Sequence, residues 1–293
     1  MTLAIVAAFA SAAFFAAGTS LQHHAAGPST KVSSLQMVKA LARRPGWLAG
    51  MVLSGIAFGL HATALKYGEL SVVQPIVVSG IVFAVILRDA ADRHLPSVEE
   101  LRWAGLTWAG LALFISMAHS SPPQPPNIDR AIWFASVSVV VVGVVVLVTR
   151  REPSLRNRGL LLGSCCGILF ALVAGLVKLT LVEAGPGIMG LLLQWPPWVM
   201  LAVGAWALFL NQRAYQGTRL SGSMPVLNIV DVLVATGFGF VVFGERLSSS
   251  LGTLLGELVG LVAMGWGVAR LAGLTDSYQG APEDEAVTER TAQ

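Results

Sequence analysis

Apolar runs of about 20 residues recur along the whole chain and alternate with short polar or basic segments. In a bilayer, each backbone N–H and C=O group must be satisfied within its own helix, so such runs indicate membrane-spanning helices. The pattern predicts an all-α polytopic membrane protein with about nine transmembrane helices. The predicted spans are residues 2–21, 47–65, 72–87, 102–118, 131–148, 159–182, 188–210, 222–243 and 251–271.

Local signals mark where some of these spans begin and break. Residues 97–100 (SVEE) predict a capping box that opens the fourth span. Residues 120–127 (SSPPQPPN) form a proline-rich connector that cannot be helical. Residues 194–198 (QWPPW) interrupt the seventh span, and the carbonyls freed by the two prolines would have to find other partners. This break is either a kink that lines a substrate cavity or a plain proline kink.

The chain also contains an internal repeat. Residues 70–75 (LSVVQP) open the third span, and residues 220–225 (LSGSMP) open the eighth in a similar way. Because five spans separate the two copies, the second copy is inverted in the membrane. We therefore predict an inverted repeat in which helices 1–4 match helices 6–9. The corresponding domains are residues 1–149 and 159–272, joined by a basic cytoplasmic linker at 150–158 and followed by an acidic, disordered cytoplasmic tail at 273–293.

Composition and charge agree with a membrane protein and suggest its orientation. The chain is 55% hydrophobic and 12% charged, too few charged residues to cover a soluble domain of 293 residues. Most of its 19 lysines and arginines fall in alternate loops, where they explain orientation better than nucleic-acid binding. The positive-inside rule predicts a multi-pass cell (plasma) membrane protein with its N-terminus outside and its C-terminus in the cytoplasm. The basic residues on the opposite side are Lys66, Arg130, Lys178 and Arg246.

Asp231 is the most informative ionisable residue, since it falls near the middle of the eighth span. A charged side chain in hydrocarbon is costly, and it commonly marks a transport pathway. Asn228 lies three residues earlier and therefore on the same helical face. The two side chains could bind a cation or carry a proton. The alternative is a structural carboxyl that is hydrogen-bonded to a neighbouring helix.

Four other polar residues within the apolar spans are further candidates for substrate binding or coupling. Lys178 and Glu257 lie at similar depths in the sixth and ninth spans, so a pair that joins these helices is predicted. His61 could relay protons or form an interhelical hydrogen bond. Gln194, at the break of the seventh span, could line the substrate cavity.

Three glycines, Gly252, Gly256 and Gly260, form a G-x-x-x-G-x-x-x-G run on one face of the ninth span. Such a face permits close helix packing, either inside the bundle or in a homodimer. The sequence contains no Walker loop, metal-ligand His/Cys cluster, nucleophile elbow or dinucleotide fingerprint. We therefore expect no enzymatic activity, no cofactor and no nucleic-acid partner. The expected partners are the lipid bilayer and a small solute or cation.

The repeated Leu-Ser-x-x-x-Pro openings, the stretch 210–214 (LNQRA) and the turn 244–247 (GERL) resemble motifs of the drug/metabolite transporter superfamily. More narrowly, the layout resembles the NIPA-type magnesium transporters and their bacterial relatives. This resemblance implies a secondary transporter of a small solute or cation, with magnesium as one substrate. Asp231 departs from it, because the resemblance implies an apolar or aromatic residue there. The alternatives are a proton-coupled exporter of a small organic metabolite and a non-transporting membrane assembly or lipid-interacting protein.

Overall fold

The computed structural model describes residues 1–26, 43–91, 96–118, 124–152, 154–183, 188–217, 220–245 and 250–279. These residues form helices and short connections, with no β-strand among them. The helices are α1 (Thr2–Ala26), α2 (Pro45–Tyr67), α3 (Leu70–Val78), α4 (Gly80–Ala91), α5 (Val98–Met117), α6 (Ile128–Thr149), α7 (Leu155–Glu183), α8 (Ile188–Leu192), α9 (Pro196–Gly217), α10 (Leu220–Phe243) and α11 (Leu251–Gln279). Most of the predicted acidic tail lies outside the described residues, as does part of the turn 244–247.

Seven helical segments in the described part of the chain are long and apolar enough to cross a membrane. They are Thr2–Gln22, Pro45–Tyr67, Leu70–Leu87, Ile128–Thr149, Asn157–Glu183, Val226–Phe243 and Leu251–Leu274. These segments make the chain an all-helical, multi-pass membrane protein. The predicted fourth and seventh spans are not among them. Charged residues near its start lower the hydropathy of α5, and the apolar part of α9 is shorter, at Pro196–Asn211.

Polar side chains satisfy the free backbone groups at the starts of α5 and α6. The predicted capping box is confirmed: Ser97 Oγ accepts from the Glu100 N–H at 3.1 Å, and Glu100 Oε2 accepts from the Ser97 N–H at 2.8 Å. Asn127 Oδ1 accepts from the Arg130 N–H at 3.0 Å and caps α6. The sequence around these residues therefore fixes both helix starts locally.

Helices α1 and α2 form a tight antiparallel pair. A Cβ atom on Gly50 would lie 2.7 Å from the Gly18 carbonyl oxygen, so a side chain there would force the two backbones apart. Polar contacts reinforce the pair, since Ser11 Oγ donates to the Ala57 carbonyl at 2.8 Å. Gln22 Nε2 also donates to Ser54 Oγ at 3.0 Å.

Helices α5 and α11 form a second antiparallel pair, and the glycine run of α11 contributes to it. A Cβ on Gly260 would lie 2.7 Å from the Gly110 carbonyl oxygen, and one on Gly256 would lie 2.9 Å from the flexible Met117 side chain. A Cβ on Gly252 would meet nothing within 4 Å. The helices therefore touch most closely at Gly110 and Gly260, and Gly252 does not take part in the contact.

Helix α7 occupies the centre of the bundle, whereas α6 lies at its edge. About two-thirds of the α7 span is buried (67%), compared with 17% of the α6 span. Helix α7 packs against α2, α6, α9 and α10. Its buried leucines, including Leu169, Leu172 and Leu176, form much of the apolar core. Side chains on α7 and on the face of α10 towards it are therefore shielded from lipid.

Candidate functional site

Asp231 lies halfway along α10, at the twelfth of 24 residues. Its side chain is buried, and Oδ1 has no hydrogen-bond partner among the described residues. Burying a polar group without a partner costs free energy, and an ionised carboxylate costs more. Asn228 is half-buried one turn earlier on the same helix. Asp231 is therefore a buried carboxyl held within a membrane-span segment, with one oxygen unpartnered among the described residues.

Close contact between α7 and α10 fixes the position of Asp231. A Cβ atom on Gly167 of α7 would lie 2.5 Å from the Leu227 carbonyl oxygen and 3.0 Å from the Asp231 nitrogen. Only a residue without a side chain allows this approach. On another face of α10, the neighbouring Val232 packs with Val78 and Val268. The segment that carries Asp231 is therefore fixed by contacts with several helices.

The structure replaces the predicted break of the seventh span with two separate helices. Helix α8 ends at Leu192, and α9 begins at Pro196, so both prolines stand in the first turn of α9, where proline is well tolerated. Gln194 Nε2 donates to the Glu183 carbonyl at 2.8 Å, while Gln194 Oε1 is buried without a partner among the described residues. The prediction of a kink within one helix is wrong. Gln194 joins the end of α7 to the connection before α9.

His61 lies in α2, a helix that packs against α1, α3 and α7. Its Nδ1 atom is buried and has no hydrogen-bond partner within the described part of the chain. Because α2 makes its main contacts with these helices rather than with α10, His61 and Asp231 belong to different contact regions.

Lys178 does not pair with Glu257, as the sequence had predicted, but with Glu245. Its Nζ atom lies 2.6 Å from Glu245 Oε1 and also donates to the Gly68 carbonyl at 2.7 Å. The Lys178 ammonium also lies over the Phe243 ring in a cation–π contact, with Nζ 4.8 Å from the ring centroid. Both charged side chains are almost completely buried. Glu257 is buried in α11, the helix that packs against α5 and α10.

Glu245 also caps α3 through both of its carboxylate oxygens. Its Oε1 accepts from the Leu70 N–H at 2.9 Å. Its Oε2 accepts from the Ser71 N–H and from Ser71 Oγ, each at 3.1 Å. A negative charge is favourable at a helix N-terminus, where free N–H groups point outwards. Glu245 therefore satisfies two backbone donors, one hydroxyl and one ammonium group.

Two glycines before Glu245 make this arrangement possible. Gly244 adopts a positive φ of 64°, which glycine tolerates better than other residues. A Cβ atom on Gly239 would collide with the Glu245 carboxylate. In the sequence, this turn stood out as a motif, but nothing in it indicated a partner for Glu245. The useful signal was Lys178, an intramembrane cation that needed a buried acid as its partner.

A groove of about 480 Å³ runs beside this turn. It is lined by Gln124, Arg130, Trp133, Phe240, Val241 and Gly244. Elsewhere in the described residues, no three His, Cys, Asp or Glu side chains come together as a metal site. The adjacent Cys165 and Cys166 are buried as free thiols in α7. The two polar features that stand out are thus the Asp231 carboxyl, halfway along α10, and a fully bonded ion pair at one end of the bundle.

Comparison with known proteins finds one relative but no function. An uncharacterized protein of Corynebacterium glutamicum is 30% identical over 249 residues, which cover 83% of this chain and 86% of that protein. No family model and no solved structure matches the chain. The similarity spans most of both proteins but brings no substrate or activity with it.

Proposed function

The chain belongs to the family of that Corynebacterium glutamicum protein, and we propose that it is a secondary transporter of a small solute or cation. The observation that carries this proposal is Asp231, a buried carboxyl halfway along α10 with an oxygen unpartnered among the described residues. Such a group is costly in a purely structural role, since a neutral or apolar residue would fill the space at lower cost. A carboxyl that binds a cation or a proton during transport accounts for its presence.

The contacts between helices support an inverted repeat. In the predicted repeat, the third span corresponds to the eighth and the fourth corresponds to the ninth. In the structure, α3 contacts α10 and α5 packs along α11, so these counterparts touch each other. A two-fold axis in the membrane plane produces contacts of this kind, because elements near the axis meet their own copies.

The α5–α11 contact also supports nine crossings. It extends from an exposed ion pair between Glu99 and Arg270 to the packing of Met117 on Gly256. Helix α5 therefore follows the membrane-spanning part of α11, and we infer that it crosses the bilayer beside it. We infer that α9 crosses as well. Gln194, just before α9, contacts Glu183 at the end of α7, and the apolar residues Pro196–Asn211 run on from that point.

We propose that the ion-pair end of the bundle faces outwards. Gly68, Lys178 and Glu245 are in contact there, so α2, α7 and α10 all finish at this end. Few basic residues belong to this end, and the many basic residues of the alternate connections belong to the other. The positive-inside rule then favours an outside N-terminus and a cytoplasmic C-terminus in the plasma membrane.

For the substrate, a single carboxyl at Asp231 favours proton-coupled movement of a small organic solute, because one carboxylate is enough to carry a proton. Magnesium, which the family resemblance implies, sheds water reluctantly and is usually bound by one or two carboxylates together with other oxygens. Asp231 would have to supply the carboxylate for such a site, with waters and backbone oxygens completing it. Magnesium is therefore the second proposed substrate.

The deciding experiment is uptake into proteoliposomes, with magnesium and a panel of small organic metabolites tested with and without a proton gradient. We expect Asp231→Asn to abolish gradient-driven accumulation while the protein stays folded, because the amide cannot exchange a proton or supply a negative charge. The matched control is Asp129→Asn, the same chemical change at an exposed site in the first turn of α6. Full uptake by the folded Asp231→Asn variant would remove Asp231 from the mechanism. A folded parent that moves nothing would favour an assembly or lipid-interacting role.

A further inference from the structure

Three separate parts of the chain meet at the Lys178–Glu245 ion pair. Gly68 follows α2, and Leu70 and Ser71 are the first two residues of α3, all in the first predicted repeat. Lys178 comes from α7 and Glu245 from the turn after α10, both in the second. A single carboxylate therefore joins the two halves of the molecule at this end of the bundle.

We propose that the Lys178–Glu245 pair, together with the α3 cap, is a latch that closes this end and opens when the two halves move apart. Leu70, Ser71 and Lys178 all bond to the one carboxylate of Glu245, so displacement of that group releases the three residues together. Packed interfaces between helices switch between two discrete arrangements rather than deforming continuously. The closed state is the one seen here.

Helix α10 connects the latch to the mid-span carboxyl. Asp231 lies halfway along α10, and Glu245 follows two residues after the helix ends at Phe243. Because a helix moves largely as a rigid element, a shift of α10 at Asp231 would also pull on Glu245. In this respect the latch rests on the proposed transport function: occupancy of Asp231 would bias whether this end is open or closed.

The latch can be tested without a transport assay. In a Cys165→Ala/Cys166→Ala background, Gln74→Cys places a reporter thiol at a buried position in α3, one turn beyond Ser71. The protein is placed in lipid nanodiscs, where both faces are accessible, and labelled with a water-soluble maleimide. The Gln74→Cys protein with the ion pair intact should be labelled slowly. The double variant Lys178→Met/Glu245→Gln should label at least about tenfold faster, since it removes the charge pair that holds this end closed.

The double variant is chosen because it leaves no unpaired buried charge, so it should fold where a single substitution fails. A melting curve recorded beside the labelling shows whether the thiol reacts by local opening or by global unfolding. The matched control is Glu99→Gln/Arg270→Met, which removes the exposed ion pair between α5 and α11 and should leave labelling at the parent rate.

Fast labelling of a double variant that melts with the parent would establish the latch. Labelling at the parent rate in that folded variant would overturn it, as would a rate that simply follows the loss of melting temperature. These results are independent of uptake. A chain that opens when the pair is removed but carries no solute would retain the latch and lose the proposed transport function.

Discussion

Glu245 and Asp231 are two buried acids with opposite surroundings. Their exposures are nearly equal, at 6% and 8%. Glu245 accepts hydrogen bonds from two backbone N–H groups and a hydroxyl and forms an ion pair with Lys178. Asp231 keeps an oxygen without a partner among the described residues. The comparison shows that two acids buried to the same depth can differ completely in the number of partners they have.

The difference follows from where each acid stands relative to a helix. Glu245 faces the start of α3, where the first N–H groups have no partner within the helix. Asp231 stands inside α10, where the backbone N–H groups are used by the helix itself. Its partners would have to be side chains of adjacent helices, and the part of α7 that approaches the Asp231 backbone is Gly167, which has no side chain to offer.

The largest expected difference between the two acids is in stability. We expect Lys178→Met to cost about 3–5 kcal/mol of unfolding free energy, because it leaves the Glu245 charge buried without its cation. Asp231→Asn should change stability by less than about 1 kcal/mol, since no hydrogen bond to the free oxygen is lost. Denaturation in detergent, followed by helical circular dichroism, measures both. An equal loss of unfolding free energy in the two variants would show that Asp231 is as structural as Glu245.

A smaller loss of stability is expected from a substitution that displaces α10 but leaves both acids unchanged. Gly167→Ala should cost about 1–3 kcal/mol, because its Cβ would press on the backbone at Leu227 and Asp231. Gly204→Ala is the matched control, as its Cβ would make an ordinary contact 3.6 Å from Val173. Melting temperatures and proteoliposome uptake should fall together for Gly167→Ala alone. Unchanged uptake in that variant would show that the exact position of Asp231 is unimportant.

The smallest effect is expected at the exposed ion pair, which provides a baseline for Lys178–Glu245. Arg270 Nη2 lies 3.8 Å from Glu99 Oε1, and both side chains are about half exposed, at 53%. Glu99→Gln should cost at most about 1 kcal/mol, and added salt should reduce even that. Melting at low and high salt measures it. A cost comparable to that of Lys178→Met would mean that burial does not set the strength of these pairs.

The sequence by itself determined the features that depend on neighbouring residues. Apolar runs gave the membrane-spanning helices, because backbone satisfaction in lipid is a local requirement. The capping box at Ser97 and Glu100 was also readable, since all of its atoms lie within one helical turn. The same local reasoning placed Asp231 inside an apolar helix, and the structure has it halfway along α10.

Tertiary structure alone decided which distant groups meet. Lys178 and Glu245 are 67 residues apart, and Leu70 lies 175 residues from Glu245, so no local pattern could pair them. Equal spacing likewise made Gly252 and Gly260 look equivalent, yet only Gly260 meets a neighbouring backbone. Helix periodicity specifies which residues share a face. Which helix covers that face depends on the packing of the whole bundle, where the many weak contacts of distant segments decide the outcome.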